Sequence, residues 1–255
     1  MNVANALTRF SDRVQDYVKY RPSYPPGVIQ VLASRCGLRS DSLIADIGSG
    51  PGNFAQIFLE NGNEVFAVEP NSEMRNAGLE LLGHHRQYHS IEGTAEDTRL
   101  AASSVDFITA AQAFHWFDWP RAKTEFRRIL RPRGWVVLLW NDRRLDSTPF
   151  QRQYEDLLVR FGTDYAQVKS RGRASVNVIA SFFSSRFEKV TLDNAQTFDF
   201  EALHGRLVSA SYAPKPSHPD YPKMLEELKK IFHTYATNGR VLFEYDTNVY
   251  FGQLE

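Results

Sequence analysis

The chain has 255 residues, of which 42% are hydrophobic and 24% charged, so a soluble globular protein of one large or two small domains is expected. Its 30 lysines and arginines balance 30 aspartates and glutamates, which leaves no positive field to attract phosphates and disfavours nucleic acid as a partner. The single cysteine, Cys36, excludes an internal disulfide. No run approaches the roughly 18 apolar residues of a membrane span, and none at the amino end reads as a signal peptide. We therefore expect a cytoplasmic protein that does not enter membranes.

Helices and strands are predicted to alternate along the first 140 residues, as they do in α/β proteins. The predicted elements are a helix over 26–37, a strand over 42–47, a helix over 53–61, a strand over 64–69, a helix over 71–82, strands over 87–91 and 105–111, a helix over 118–130 and a strand over 134–140. Parallel strands joined by helices need right-handed crossovers, so this order predicts a doubly wound sheet.

After Asn141 the pattern changes to longer helices between two late strands. Helices are predicted over 148–168, 176–185, 201–211 and 219–237, and strands over 187–192, continuing toward 200, and over 240–251. Helices inserted between late strands of such a sheet have one natural place, above the carboxyl ends of the strands. We therefore expect them to form a cap over a binding site.

Residues 44–52 read Ile-Ala-Asp-Ile-Gly-Ser-Gly-Pro-Gly, a buried strand that breaks into three glycines. Glycine lets backbone turn sharply and lets a ligand lie against it. A strand, a glycine turn and a helix in this order build a nucleotide site. The spacing of Gly48, Gly50 and Gly52 is G-x-G-x-G, with Asp46 two residues before, and it differs from the G-x-G-x-x-G of dinucleotide enzymes. This spacing weighs against a nicotinamide cofactor.

Further motifs follow in order. The second strand ends in Glu69, about 20 residues on, where an acid for a ribose is expected. Residues 69–74 follow this strand, residues 93–97 form a turn, and residues 104–111 form the fourth strand. At the carboxyl end of the fourth strand, residues 112–118 read Gln-Ala-Phe-His-Trp-Phe-Asp. Together these segments resemble the class I S-adenosylmethionine-dependent methyltransferases, firmly over 42–140 and more loosely at the flanks.

The resemblance implies an α/β fold, a doubly wound Rossmann-like sheet of seven strands. The sheet would be mostly parallel with an antiparallel last strand, and a helical cap would cover it. The whole chain, 1–255, would be a single methyltransferase domain. Its parts would be an amino-terminal lid over 1–25, a core over 26–141 and 186–255, and cap insertions over about 142–185 and 200–238.

S-adenosyl-L-methionine is the cofactor that the resemblance implies, and no metal is expected. Asp46 would anchor the glycine loop and the amino end of the cofactor, and Glu69 would accept two ribose hydroxyls. Glu96 would meet the adenine amino group, although Glu96 or Asp97 could instead be a helix-capping acid. The implied cofactor-binding residues are Tyr20, Arg21, Asp46, Gly48, Ser49, Gly50, Gly52, Glu69, Pro70, Met74, Ala95, Glu96 and Gln112.

The aromatic residues after the fourth strand lie where the methyl group should sit, and an aromatic face favours a sulfonium cation. His115 is the candidate catalytic residue, because a histidine that titrates near neutrality can orient or deprotonate an acceptor. The alternative is that His115 is a structural hydrogen bonder among packing residues. The predicted substrate pocket consists of Tyr24, His115, Trp116 and Trp140.

Residues 17–25 resemble the amino-terminal segment of small-molecule methyltransferases related to trans-aconitate methyltransferase, where the segment folds over the cofactor. Arg21 would then suit the cofactor's carboxylate, and Tyr20 or Tyr24 would seal the site. The alternative is a stretch that packs on the sheet edge.

The function implied is methyl transfer from S-adenosylmethionine to a small-molecule acceptor, by a monomer or homodimer. The alternative is a catalytically silent S-adenosylmethionine-binding regulatory or scaffold protein. Undegraded core motifs argue against that alternative.

Overall fold

The computed structural model describes residues 19–167 and 175–254, and the first 18 residues of the predicted lid lie outside this part. The strands are β1 (Leu43–Ile47), β2 (Glu64–Val68), β3 (Tyr88–Ile91), β4 (Val105–Ala111), β5 (Leu130–Arg143), β6 (Glu188–Phe198) and β7 (Val241–Gly252). The α-helices are α1 (Gly27–Cys36), α2 (Ala55–Glu60), α3 (Ser72–Leu82), α4 (Trp119–Ile129), α5 (Pro149–Phe161), α6 (Val176–Phe182), α7 (Phe200–Val208) and α8 (Tyr221–Tyr235). None of the helices in these two ranges is long and apolar enough to cross a membrane.

The strands form one seven-stranded sheet in the order β3-β2-β1-β4-β5-β7-β6. The first five strands are parallel to one another, whereas β7 runs antiparallel to both β5 and β6. The fold class expected from the sequence is therefore confirmed, including the antiparallel last strand. The strand order reverses between β1 and β4, and ligands of open α/β sheets bind at the carboxyl ends of the strands at such a switch point.

β5 is longer than predicted. The sequence predicts a strand that begins at residue 134, but the strand already begins at Leu130, and pairing with β4 occurs on both sides of residues 131–134. Val105 pairs with Leu130 and Phe107 with Trp135, so the extra residues bulge out of the ladder. At its other end β5 continues to Arg143, because its long antiparallel pairing with β7 extends beyond the parallel core.

Three apolar clusters hold the layers together. One lies on the face of the sheet covered by α4, and a second lies on the face covered by α1 and α2. The third joins α5, α7 and α8 to the ends of β6 and β7. This third cluster is the helical cap expected from the sequence. The predicted cap segment 142–185 is divided, however, because Ile179 and Phe182 of α6 pack in the first cluster and not in the cap.

Candidate active site

The glycine turn after β1 has a left-handed backbone at three alternate positions. The φ angles are +67° at Gly48, +55° at Gly50 and +89° at Gly52. A Cβ at Gly48 would lie 2.7 Å from the Cβ of Ala113, and one at Gly52 would lie 2.4 Å from Leu82 Cδ1. A Cβ at Gly50 would meet no atom of residues 19–167 or 175–254 within 4 Å. Packing therefore demands glycine at two positions, while Gly50 faces open space that a ligand can fill.

Glu69 binds the glycine turn directly, as the end of β2 comes alongside it. Its Oε2 accepts a hydrogen bond from the Gly50 amide and its Oε1 accepts one from the Asn71 amide, each at 2.9 Å. The carboxyl group is buried, and burial raises its pKa, against the lowering effect of these hydrogen bonds. A carboxylate has about four acceptor positions, so Glu69 keeps two for a ligand beside Gly50.

Asp46 lies in β1, buried beneath the same turn. Thr109 Oγ1 donates a hydrogen bond to Asp46 Oδ1 at 2.7 Å, but Asp46 Oδ2 is buried without a hydrogen-bond partner. Burial raises the pKa of Asp46 to about 7, and the charge of Glu69 adds to the effect. Ser49 Oγ is also buried without a partner. Buried polar atoms are normally hydrogen-bonded, so these two indicate a bound polar group.

Four other predicted cofactor residues, Pro70, Met74, Ala95 and Glu96, follow β2 and β3. The Asn71 side chain caps α3 by accepting from the Met74 amide at 3.0 Å, and this fixes Met74 and Pro70 at the helix start. Ala95 is buried in the first apolar cluster. Glu96 Oε1 accepts from the Asp118 amide at 2.8 Å, at the start of α4. The structure thus gives Glu96 the capping contact of the alternative interpretation, and an adenine contact stays a prediction.

The chain turns sharply after β4 at Gln112, which has a φ of +57°. Its amide donates to Leu139 O at 2.9 Å and its side-chain Nε2 donates to Asn141 O at 3.2 Å, both in β5. The following turn carries the aromatic residues toward the glycine loop, where Phe117 lies within 3.6 Å of a Cβ built at Gly48. The predicted cofactor and acceptor segments are therefore neighbours.

His115 lies in the 3₁₀ turn Phe114–Trp116. Burial lowers its pKa to about 4, and its Nδ1 is buried without a hydrogen-bond partner. The imidazole is therefore neutral at neutral pH, and a proton taken from an acceptor would be held weakly. This environment favours a hydrogen-bonding role over that of a general base.

Two predicted pocket residues belong to the core. Trp140 is 2% exposed and packs edge-on against Phe114 and Tyr250. Tyr24 packs edge-on against Phe54, with ring centroids 4.7 Å apart, in the second apolar cluster. Sequence reasoning placed both in the pocket because it could not tell an aromatic residue at a strand end from one inside the core. Trp116 is half-buried and keeps an open side.

The described end of the amino-terminal segment is docked on the cap helix α7. The Tyr20 ring lies so close that a Cβ at Gly205 would be 2.0 Å from its Cε2. Arg21 Nη2 donates to Ser209 O at 3.2 Å. The segment thus reaches the cap, as a lid would, while contact of Tyr20 and Arg21 with a cofactor stays a prediction.

The comparisons with known proteins agree with this geometry. Residues 45–138 match the family model described as a methyltransferase domain. An uncharacterized methyltransferase of Mycobacterium tuberculosis is 39% identical over 134 residues, which are 52% of this chain and 52% of that protein. Over residues 45–138 the chain is thus similar to methyltransferase domains. The match to this and the other first curated relatives spans about half of their length.

Longer relatives and solved structures extend the similarity beyond these residues. An uncharacterized methyltransferase-like protein of Schizosaccharomyces pombe is 29% identical over 232 residues, 89% of this chain and 87% of that protein. A structure described as a type II methyltransferase from Anaeromyxobacter dehalogenans has a TM-score of 0.68 at 22% identity, covering 92% of this chain and 98% of that one. A phosphoethanolamine N-methyltransferase of Haemonchus contortus, in complex with S-adenosylhomocysteine, has a TM-score of 0.56 at 14% identity, covering 99% of this chain and 59% of that one.

The residues present fit S-adenosylmethionine, the cofactor that the resemblance implies. The space beside Gly50 leaves room for a ligand against the backbone. Glu69 offers a carboxylate at that place, and Asp46 Oδ2 and Ser49 Oγ offer two buried acceptors that lack partners. A cofactor with ribose hydroxyls and an ammonium group matches these acceptors.

Sequence reasoning missed a polar cluster at the carboxyl end of β5. It consists of Arg143, Glu155 and Tyr165, which are joined by hydrogen bonds, and of Arg206 of α7, which interacts with the neighbouring Tyr154. Arg143 lies three residues beyond the end of the predicted strand, and that position was the only available signal. Nothing in the helical pattern of 201–211 distinguishes a buried Arg206 from a solvated one.

Proposed function

We propose that this methyltransferase transfers the methyl group of S-adenosylmethionine to a small-molecule acceptor. The observation that carries the proposal is the Glu69 carboxylate hydrogen-bonded to the Gly50 amide at the switch point of the sheet. Balanced net charge supports a small acceptor over nucleic acid. The Haemonchus neighbour, which holds phosphomonomethylethanolamine, is an instance of a small acceptor on this fold.

Bound S-adenosylmethionine supplies an electrophilic methyl group on a sulfonium. Glu69 and the glycine loop would hold the ribose of this cofactor, and Asp46 would hold its ammonium group. The aromatic turn after β4 would exclude water from the reacting atoms and help to align the acceptor.

The proposal predicts that S-adenosylhomocysteine binds the protein one to one and raises its melting temperature, since only the folded state binds it. Isothermal titration calorimetry with S-adenosylhomocysteine and NAD tests this. Methyl-labelled S-adenosylmethionine, incubated with the protein and a cell extract, should then label compounds of low mass. Preference for NAD would refute the cofactor, label on macromolecules would refute the acceptor class, and binding without any labelling would favour the silent alternative.

The role of Asp46 predicts a pH dependence of cofactor binding. The folded-state pKa of about 7 means that Asp46 is protonated below neutrality. An ammonium group needs the ionised form, so affinity for S-adenosylhomocysteine should rise about tenfold per pH unit toward pH 7 and then level. Calorimetry between pH 5.5 and about 8 measures this.

Asp46→Asn is the matched variant, because it retains the size of the side chain and an oxygen for the Thr109 hydroxyl. Its affinity for S-adenosylhomocysteine should be low and independent of pH over the same range. A wild-type affinity that does not change between these limits would mean that Asp46 does not face the cofactor's ammonium group.

A further inference from the structure

A buried arginine lies at the carboxyl end of β5, beneath the cap. The side chain of Arg143 is 10% exposed, and its guanidinium carbon lies 5.0 Å from the centre of the Tyr154 ring. Its Nη2 donates to Glu155 Oε2 and, at 3.3 Å, to the Tyr165 hydroxyl. Its Nη1 is buried without a hydrogen-bond partner. Nη2 of this guanidinium is therefore bound by residues of the cap, whereas Nη1 can donate a hydrogen bond to a ligand.

A second buried arginine comes to the same place from α7. Arg206 is 7% exposed, and its Nε is buried without a partner. Its electrostatic neighbours are the phenols of Tyr245, Tyr212 and Tyr154, and among residues 19–167 and 175–254 no carboxylate forms a salt bridge with it. Guanidinium groups remain charged in proteins, so this is a buried charge without a counter-charge, which is costly unless a ligand supplies one.

The two arginines have the same tyrosine side chains as neighbours. Tyr245 pairs in register with Arg143, so the two side chains lie on the same face of the sheet. Tyr245 also forms a side-chain hydrogen bond with Arg206. Tyr154 interacts electrostatically with Arg206, and its ring centre lies 5.0 Å from the guanidinium carbon of Arg143. Two N–H donors without partners therefore occur in one buried cluster lined by phenols.

This cluster lies close to the position expected for the methyl group. Gln112, at the end of β4, donates to Asn141 O, and Arg143 is two residues further along β5. Two residues of a strand span about 7 Å. A small acceptor bound at the cluster can therefore reach the carboxyl end of β4, where the aromatic turn begins.

We propose that Arg143 and Arg206 form a subsite for a carboxylate of the methyl acceptor, which anchors the acceptor while another of its atoms receives the methyl group. The inference rests on the proposed function. Two N–H donors match the two oxygens of a carboxylate, whereas a phosphate with three oxygens and a larger charge needs more donors. A carboxylate whose lone pairs are held by two guanidinium groups is a poor nucleophile, so it is the anchor and not the site of methylation.

The test uses protein saturated with S-adenosylhomocysteine, titrated with benzoate and succinate and with their neutral amides, benzamide and succinamide. Phenylphosphonate tests the phosphate-like alternative. At least one carboxylate should bind about tenfold or more tightly than its amide and than phenylphosphonate. Arg206→Met and Arg143→Met should each reduce that affinity about tenfold or more. Arg160→Met is the matched control, because Arg160 is exposed on the cap helix α5, and it should bind like the wild type.

The possible outcomes distinguish a failure of the subsite from a failure of the proposed function. If S-adenosylhomocysteine does not bind, the proposed function fails with the subsite. If it binds but neither carboxylate does, or an amide binds equally well, only the subsite is wrong. Preference for phenylphosphonate, or unchanged carboxylate affinity in a folded Arg206→Met protein, also overturns it. If the Arg206→Met variant does not fold, the affinities of the wild-type protein for each carboxylate and its amide still test the subsite.

Discussion

Replacing Gly50 by valine is expected to abolish measurable binding of S-adenosylhomocysteine while the protein still folds. A Cβ at this position meets no protein atom within 4 Å, so the branched side chain would project into the space assigned to the cofactor. Overpacking costs about 1–3 kcal/mol even for small additions, and about 1.4 kcal/mol corresponds to tenfold. The affinity should therefore fall by roughly 100-fold or more. Titration calorimetry measures the affinity, and circular dichroism follows the fold.

The valine also strains the backbone, because φ at Gly50 is +55° and left-handed backbone costs a residue with a Cβ roughly 1–2 kcal/mol. Gly239 supplies the control. It has a φ of +69°, and a Cβ there also meets nothing within 4 Å, but it lies in the turn between α8 and β7. Gly239→Val should lower the melting temperature about as much as Gly50→Val and leave binding intact. Equal loss of binding in both variants would assign the effect to strain and remove Gly50 from the site.

The cofactor side of the proposed site could be predicted because its residues are local in sequence. The strand, the turn and the acid at the end of the next strand lie within the stretch from Asp46 to Glu69, and backbone geometry leaves few residue types that suit such a turn. The register of β1 with β2 then brings Glu69 to Gly50 without help from distant parts of the chain.

The proposed acceptor side could not be predicted to the same extent, because its residues come from separate elements. Arg143 and Arg206 share the neighbouring phenols Tyr154 and Tyr245 only after α5 and α7 have packed on the ends of β6 and β7. Trp140 and Tyr24 show the reverse case, where composition indicated a pocket and packing placed the rings in the core. The turn at Gln112 is a third instance, since its positive φ is held by two hydrogen bonds to β5 that no sequence pattern reveals.

Replacing Glu69 by alanine is expected to reduce the affinity for S-adenosylhomocysteine and S-adenosylmethionine alike, by about 100-fold or more. A hydrogen bond to a charged group contributes about 1.5–3 kcal/mol, and the carboxylate would bind two ribose hydroxyls that both ligands share. Loss of about 3 kcal/mol corresponds to roughly 100-fold. Calorimetry with both ligands on the variant measures this directly.

The variant also leaves the Gly50 and Asn71 amides without their acceptor, so it should be less stable as well as weaker in binding. Asp106→Ala separates the two effects. Asp106 accepts a hydrogen bond from the Leu43 amide at 2.8 Å, at the start of β1 and hence at the opposite edge of the sheet. Its removal should lower stability and leave both affinities unchanged. If Glu69→Ala lowered the melting temperature but bound S-adenosylhomocysteine as tightly as Asp106→Ala does, Glu69 would serve only to hold the glycine turn, and the ribose would have to lie elsewhere.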